Sequence, residues 1–363
     1  MNFFLTYLLL LNCILAFAQD AGNQSSVDIN YFKGNITLHN NEVLHLITGH
    51  PEGFIISWNK KTFGSEHWGR HYNFPDYGLS FSYQDFNNSV LGKNYALHAH
   101  YNFYFFKRNF MLRIGNGLAY NTNPYHKINN NKNIAFGSRF LSSTFLMFNY
   151  KKDRIFDKIG FQSGLTFTHY SNANVKGPNK GLNSVTFNLG LTYSLNENVP
   201  EDLITKVNEK FTQPIKYNFV FRSGLNESDV IGSGQFPFYI FSAYADKRVS
   251  YKSAFQFGVD VFLSNFLKEY IKYNAVAFPE KNEDGKADYK RVGLFVGHEL
   301  FISKTSIITQ FGYYAYFPYD FEGRTYIRAG LKRYFGKQWF GTITVKAHGA
   351  AAEAVEFGIG IRL

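Results

Sequence analysis

Alternate positions of this chain are apolar in stretch after stretch, and the residues between them are small, polar or charged. In "YGLSFSY", Tyr77, Leu79, Phe81 and Tyr83 share one face, against Gly78, Ser80 and Ser82. "NYALHAHYNFYF" sets Tyr95, Leu97, Ala99, Tyr101 and Phe103 against Asn94, His98, His100 and Asn102. "SYKSAFQFGVDVF" opposes Phe255, Phe257, Val259 and Val261 to Lys252, Gln256 and Asp260, and "TYIRAGLKRY" opposes Ile327, Ala329 and Leu331 to Arg328 and Lys332. A period of two marks strands with a different environment on each face. A soluble β-sandwich would bury the second face in a dry interior, where recurring charges are costly. A lipid-facing exterior around a polar lumen satisfies both faces.

Composition agrees. Aromatics make up 19% of the residues and there are 31 glycines, yet mean hydropathy is only −0.25. After the N-terminus no apolar run approaches the ~20 residues of a spanning helix. The expected fold is therefore all-β: a transmembrane antiparallel outer-membrane β-barrel. The net charge of +11 suits contact with phosphorylated lipid or anionic glycan, though a charge total alone identifies no partner.

The N-terminus "MNFFLTYLLLLNCILAFAQD" has an apolar run from Phe3 to Phe17 that ends in Ala16-Phe17-Ala18, a small-x-small cleavage pattern. Residues 1–18 read as a signal peptide. The single cysteine, Cys13, falls inside it, so the mature chain has no disulfide. The chain ends "EAVEFGIGIRL", with Val355, Phe357, Ile359, Ile361 and Leu363 on one face, similar to the C-terminal strand signal of outer-membrane barrels.

Short connections at 106–109, 245–250, 303–306 and 335–338 alternate with long polar ones at 121–137, 223–234 and 265–288. Short turns belong on the periplasmic side and long loops outside. Counting back from a last strand that ends in the periplasm gives 14 strands, or 16 if "DINYFKGNITL" and "GFIISWN" also span. Residues 19–51 form an N-terminal segment that could supply the first strand, 52–195 a first set of strands and 214–363 a second. Between them "NENVPEDLITKVNEKFTQP" makes 196–213 a periplasmic helix or a linker. One barrel of 14–16 strands is the simpler expectation, because a separate second barrel has no evident chemistry of its own. The alternative is an eight-stranded barrel followed by a second small one.

Along "IGFQSGLTFTHYS", His169 and Ser171 continue the lipid-facing stripe of Ile159, Phe161, Leu165 and Phe167 on the outer side. Residues i and i+2 lie ~6.6 Å apart on a strand face. After the loop, Asn183 shares its face with Val185, Phe187, Leu189 and Leu191. A base, a hydroxyl and an amide orienter thus meet at one interface, the logic of a serine esterase facing the membrane. The plain alternative is a set of interfacial polar residues where the strand leaves the bilayer, since one His-x-Ser is a weak motif. Lys176 and Lys180 would lie at headgroup height, where lipid phosphates could meet them, or else belong to an ordinary solvated loop.

The segment "HYSNANVKGPNKGLNS" resembles the active-site segment of the lipid A 3-O-deacylase (PagL) family, outer-membrane β-barrel esterases. The shared pattern is H-Y-S-N-A, then K, P-N and G-[IL], at unchanged spacing. The resemblance implies His169 as base, Ser171 as nucleophile and Asn172 and Asn179 in the oxyanion hole. The family's Glu, fourteen residues after the His, is Asn183 here. Outer-membrane phospholipase A is similar in carrying His, Ser at +2 and Asn at +14. That enzyme's calcium ligands include acids and hydroxyls in the following loop, and "NANVKGPNKGL" contains neither. The implied enzyme needs no metal or other cofactor. "LHLITGHPEGF", "SWNKKTFG" and "GKNYALHAHYNFYF" resemble Bacteroidetes proteins named acyloxyacyl hydrolases.

The resulting expectation is an integral protein of the Gram-negative outer membrane, delivered by the barrel-assembly machinery, with its site on the outer-leaflet side. It would remove an ester-linked acyl chain from lipid A of lipopolysaccharide. A phospholipase A-like enzyme, or a pore with a vestigial site, is the alternative, and a homodimer is compatible with the sequence. Nothing points to nucleic acid, because strand-alternating charge makes no basic groove. His67 and His71, near Glu66, could be read as metal ligands, but the segment lacks helical context, and interfacial Trp68 and loop polarity explain it better. His98 and His100 face the lumen, and "GHEL" at 297–300 has no second His to complete a zinc motif.

Overall fold

The computed structural model describes residues 24–38, 40–64, 66–196, 211, 213–228, 230–349 and 351–363. The expected signal peptide, and all but a few residues of the 196–213 connection, lie outside the described residues.

The alternation becomes sixteen antiparallel strands in two closed barrels of eight. The first comprises β1 (Ser25–Thr37), β2 (Glu52–Lys60), β3 (Asp76–Asp85), β4 (Lys93–Phe105), β5 (Phe110–Asn121), β6 (Phe140–Phe156), β7 (Ile159–Ser171) and β8 (Leu182–Ser194). The second comprises β9 (Lys216–Glu227), β10 (Gln235–Arg248), β11 (Ser253–Ser264), β12 (Arg291–Ile302), β13 (Thr305–Tyr316), β14 (Thr325–Phe335), β15 (Trp339–His348) and β16 (Ala351–Arg362). Both "DINYFKGNITL" and "GFIISWN" lie in strands. The two-barrel alternative is therefore the correct one, and the single barrel of 14–16 strands is not formed. β8 pairs back onto β1 from Ser26↔Ser194 to Thr37↔Asn183, and β9 pairs with β16, so neither barrel keeps an open edge.

The lumen residues explain the closure at eight. An eight-stranded barrel is just wide enough inside for side chains to fill it. In the first barrel Arg113, fully buried, donates to Asp28 (2.7 and 3.1 Å), Ser57 (2.6 Å), Asn59 (3.0 Å) and Asn102 (2.7 Å). His98 bonds to Ser143 and His100 to Ser80 and Asn59, which gives both histidines a structural place in the lumen. In the second barrel Arg328 bridges Asp260 (2.7 Å) and Glu356 (2.6 Å), and Lys332 pairs with Glu299 at 3.0 Å. These filled interiors remove the wide aqueous lumen on which the pore alternative depended.

The outward stripes form apolar belts. Leu165, Phe187, Leu189 and Leu191 are exposed in the first barrel, and Phe255, Phe257, Ile343 and Ile359 in the second. No helix among the described residues is long and apolar enough to cross a membrane. Strand direction places 172–181, 228–234, 265–290 and 317–324 at one end of the pair, with short turns at the other. The short end also carries 61–64 and 66–75, where a short helix at His67–His71 stands in place of the non-helical segment expected there. His71 stacks on Tyr251 of the second barrel (4.5 Å between centroids), and Tyr72 Oη donates to Phe301 O at 2.8 Å. The histidines of "EHWGRH" thus join the barrels. Between the barrels runs an apolar crevice of about 620 Å³, walled by Tyr101, Phe103 and Ile114 on one side and Leu331, Ile343 and Phe357 on the other.

Candidate active site

His169 lies near the end of β7, flanked across the sheet by Thr144 of β6 and Asn183 of β8. Directly opposed residues on one face of antiparallel strands have Cβ atoms ~5 Å apart. Three outward positions at one height are therefore polar in an otherwise apolar belt. A fourth, Asn116 of β5, pairs with Thr144 and donates to its Oγ1 at 2.8 Å. Periodicity along single strands singled out His169 and Asn183. It missed Thr144 and Asn116, which become neighbours only through register.

His169 Nδ1 stands 2.6 Å from Asn183 Oδ1. An amide oxygen only accepts, so the proton sits on Nδ1, and in the neutral ring Nε2 presents a lone pair. Ser171 closes the strand and is 7% exposed. The backbone turns sharply behind it: Ala173 and Asn174 have φ of 47° and 62°, a conformation that costs a residue with a Cβ ~1–2 kcal/mol. The turn aims Ala173 N–H at Ser171 Oγ (2.9 Å), and Asn179 Nδ2 donates to the same oxygen at 2.9 Å. Asn179 Oδ1 in turn accepts from Asn172 N–H at 2.9 Å.

The His169 ring and the Ser171 methylene both border Gly181, which has φ +67°. A Cβ there would lie 3.3 Å from His169 Cε1 and 3.5 Å from the Ser171 Cβ. Glycine suits the positive φ here, and a Cβ would press on Tyr170 O and on the His169 ring. His169, Ser171, Asn179 and Asn183 all line one cavity of about 550 Å³, within the usual size of ligand sites.

The remaining expected residues fall around them. Asn172 directs its side-chain amide to Ser138 Oγ (3.0 Å) and Lys176 O (2.8 Å), shaping the loop. Lys180 lines the cavity and pairs with Glu42 at 3.1 Å, whereas Lys176 is exposed. The cavity's other wall comes from the second barrel, through Ser228, Ile231, Glu322, Ala351 and Ala352. Single-strand patterning gave no sign of that wall.

Among the described residues one group has metal-ligand chemistry: donor atoms of Glu322, His348 and Glu353 lie within 4.8 Å of one another. Arg291 and Lys346 each bond Glu353 at 2.7 Å, so its carboxylate is already balanced by two cations. His348 Nε2 is also 2.9 Å from Tyr314 Oη. This is a packed polar network, poorly suited to a dication.

Two closed barrels with apolar belts, one of them carrying a histidine, a serine and an amide at its rim, define a β-barrel protein. The family comparisons narrow the class. Residues 52–192 match the model of the lipid A 3-O-deacylase (PagL) family, and 215–363 match the acyloxyacyl hydrolase C-terminal domain. Together these take in most of the chain, which belongs to this family. No curated protein sequence matches the chain. Among solved structures, a BenF-like porin from Pseudomonas fluorescens Pf-5 is 9% identical at a TM-score of 0.23, covering 94% of this chain and 98% of the porin. OccK5 (OpdH) of Pseudomonas aeruginosa is 10% identical at 0.24, covering 94% and 97%. At such scores these likenesses carry no argument.

Proposed function

We propose that the chain is an outer-membrane esterase that removes an ester-linked acyl chain from lipid A, with Ser171 as nucleophile, His169 as base and Asn183 as orienter. The observation that carries this is the 2.6 Å contact of His169 Nδ1 with Asn183 Oδ1, at the cavity that Ser171 also lines. Membership of a deacylase family supplies the substrate class.

Ser171 Oγ attacks the ester carbonyl while His169 Nε2 takes its proton. Asn179 Nδ2 and Ala173 N–H, which bond Ser171 Oγ in the resting site, pass to the tetrahedral oxyanion as it forms; a donor aimed at that oxygen contributes ~3–4 kcal/mol. Collapse expels the alcohol, which leaves with the proton from His169. Water then cleaves the acyl-Ser171 ester by the same relay. In this reading Asn172 shapes the loop and Asn179 is the oxyanion donor. Lys180 and Lys176, at the rim, meet the phosphates of lipid A. The reading includes no metal: the site loop, residues 172–181, supplies no carboxylate, and of the carboxylates that line the cavity from elsewhere Glu42 is paired with Lys180 and Glu322 with His348.

The test is mass spectrometry of lipid A from cells expressing the wild type or Ser171→Ala, with and without EDTA. Loss of one acyl chain that requires Ser171 and survives EDTA is expected. Unchanged lipid A with folded protein in the membrane would overturn the reading. Calcium-dependent release of fatty acid from phospholipid would replace it with a phospholipase.

A further inference from the structure

The active-site loop is not held by its own barrel alone. Gly177 N–H, in the middle of the loop after Ser171, donates to Glu227 Oε2 of the second barrel at 2.8 Å. The other carboxylate oxygen, Oε1, accepts from Gly232 N–H at 2.8 Å and Gly234 N–H at 3.4 Å. Glu227 N–H also donates to Asn174 O at 2.9 Å, and Gln235 Nε2 to Val175 O at 2.7 Å. Glu227 is 5% exposed, so its charge has left water and is satisfied by peptide N–H groups from both barrels. Such a group holds its partners tightly, because a lost bond leaves a buried charge undersatisfied.

What these bonds fix bears directly on Ser171. Asn174, Val175 and Gly177 lie between Ala173 and Asn179, the two residues whose N–H groups address the serine oxygen. Three successive parts of that span are bonded to the second barrel. The same end of that barrel forms the far wall of the cavity through Ser228 and Ile231.

Building on the esterase reading above, we infer that Glu227 is a positioning residue for the reaction, and that the second barrel is a working part of the active site. Glu227 touches neither substrate nor reacting atoms. It sets the loop that presents Ala173 N–H and Asn179 Nδ2 to the developing oxyanion. The site is complete only when both barrels are in place.

The experiment uses the full chain in detergent micelles, comparing wild type with Glu227→Ala, Glu227→Gln and Gln235→Ala. Two readouts are taken: steady-state hydrolysis of purified lipid A, and hydrogen exchange of the 172–181 amides, which does not depend on activity. Displacement of a catalytic group by about 1 Å can cost ~100-fold in rate. Glu227→Ala is expected to lower kcat by ~10- to 100-fold with KM within about threefold, and to speed exchange across 172–181. Glu227→Gln, which keeps one acceptor oxygen, should recover part of both. Gln235→Ala, at an exposed position, should move both slightly in the same direction.

Wild-type kcat and exchange in folded Glu227→Ala would overturn the inference, and so would a raised KM at unchanged kcat. If the wild type hydrolyses no lipid A, the esterase reading fails. Loop exchange in the same samples then judges the inter-barrel clamp by itself: wild-type exchange in Glu227→Ala overturns it.

Discussion

His169 Nδ1 and Asn183 Oδ1 stand 2.6 Å apart across the β7–β8 pair, on the face that otherwise carries Leu165, Val185 and Phe187. In apolar surroundings an imidazole and an amide stabilise each other, and the amide fixes which nitrogen is basic. A carboxylate could do the same, since it too accepts from Nδ1. Asn183→Leu should lower kcat by ~100-fold, the order of a general-base contribution, whereas Asn183→Asp should retain most activity. Steady-state hydrolysis of lipid A by the two purified variants decides this. Equal loss in both would show that the accepting oxygen is not what matters.

Asn179 is the side-chain donor nearest the nucleophile. Removing one oxyanion donor costs ~100- to 1000-fold in kcat, or ~3–4 kcal/mol. Asn179→Ala should fall in that range, while Asn172→Ala, which loses bonds to Ser138 and Lys176, should act through the loop and accelerate its hydrogen exchange. A larger rate loss for Asn172→Ala, with loop exchange at the wild-type level, would reverse the two assignments.

Gly181 combines a positive φ with a crowded Cβ position 3.1 Å from Tyr170 O and 3.3 Å from His169 Cε1. Gly181→Ala is expected to leave both barrels folded, seen as unchanged heat-modifiable migration on gels, and to reduce hydrolysis by tenfold or more (~1.4 kcal/mol). Full activity in this variant would mean that the ring and the serine do not need the spacing seen here.

Stability should reside in the lumens. Arg113 and Asp28 are both buried and bonded through two N–H···O contacts. Breaking a buried pair from one side costs ~3–5 kcal/mol, because the other charge is stranded. Arg113→Met should lower the urea midpoint of the refolded protein by a corresponding amount, and Arg113→Met/Asp28→Leu should be less destabilised than the single variant. A double variant worse than the single would argue against charge stranding as the cause.

Much of this architecture was legible in the chain. The alternation in "NYALHAHYNFYF" assigned Leu97 and Tyr95 outward and His98, His100 and Asn102 inward, as found. Barrel number was not legible. Period-two patterning tells inside from outside but carries no information on curvature, so one barrel of sixteen strands and two of eight have the same pattern. The deciding evidence is cross-strand: the pairing of Thr37 with Asn183, and the web that Arg113 draws with Asp28 and Asn59.

The site divided in the same way. His169, Ser171 and Asn183 could be read from spacing because they lie on two neighbouring strands joined by one loop. Thr144 and Asn116 come from other strands, and Glu227 lies 50 residues from Gly177 on a different barrel. "SGLNESDVIGSG" contained Glu227 only as one acid in a polar loop. Its role depends on which barrel end the loop meets, a fact of tertiary assembly.

The central claim is that Ser171 is a nucleophile activated by His169. It is tested most directly by treating the folded wild type, His169→Ala and Ser171→Ala with a fluorophosphonate and locating the adduct by peptide mass spectrometry. The account predicts phosphonylation of Ser171 in the wild type, little or none in His169→Ala, and none in Ser171→Ala. Equal labelling of wild type and His169→Ala, or no adduct on Ser171 in protein that deacylates lipid A, would contradict it.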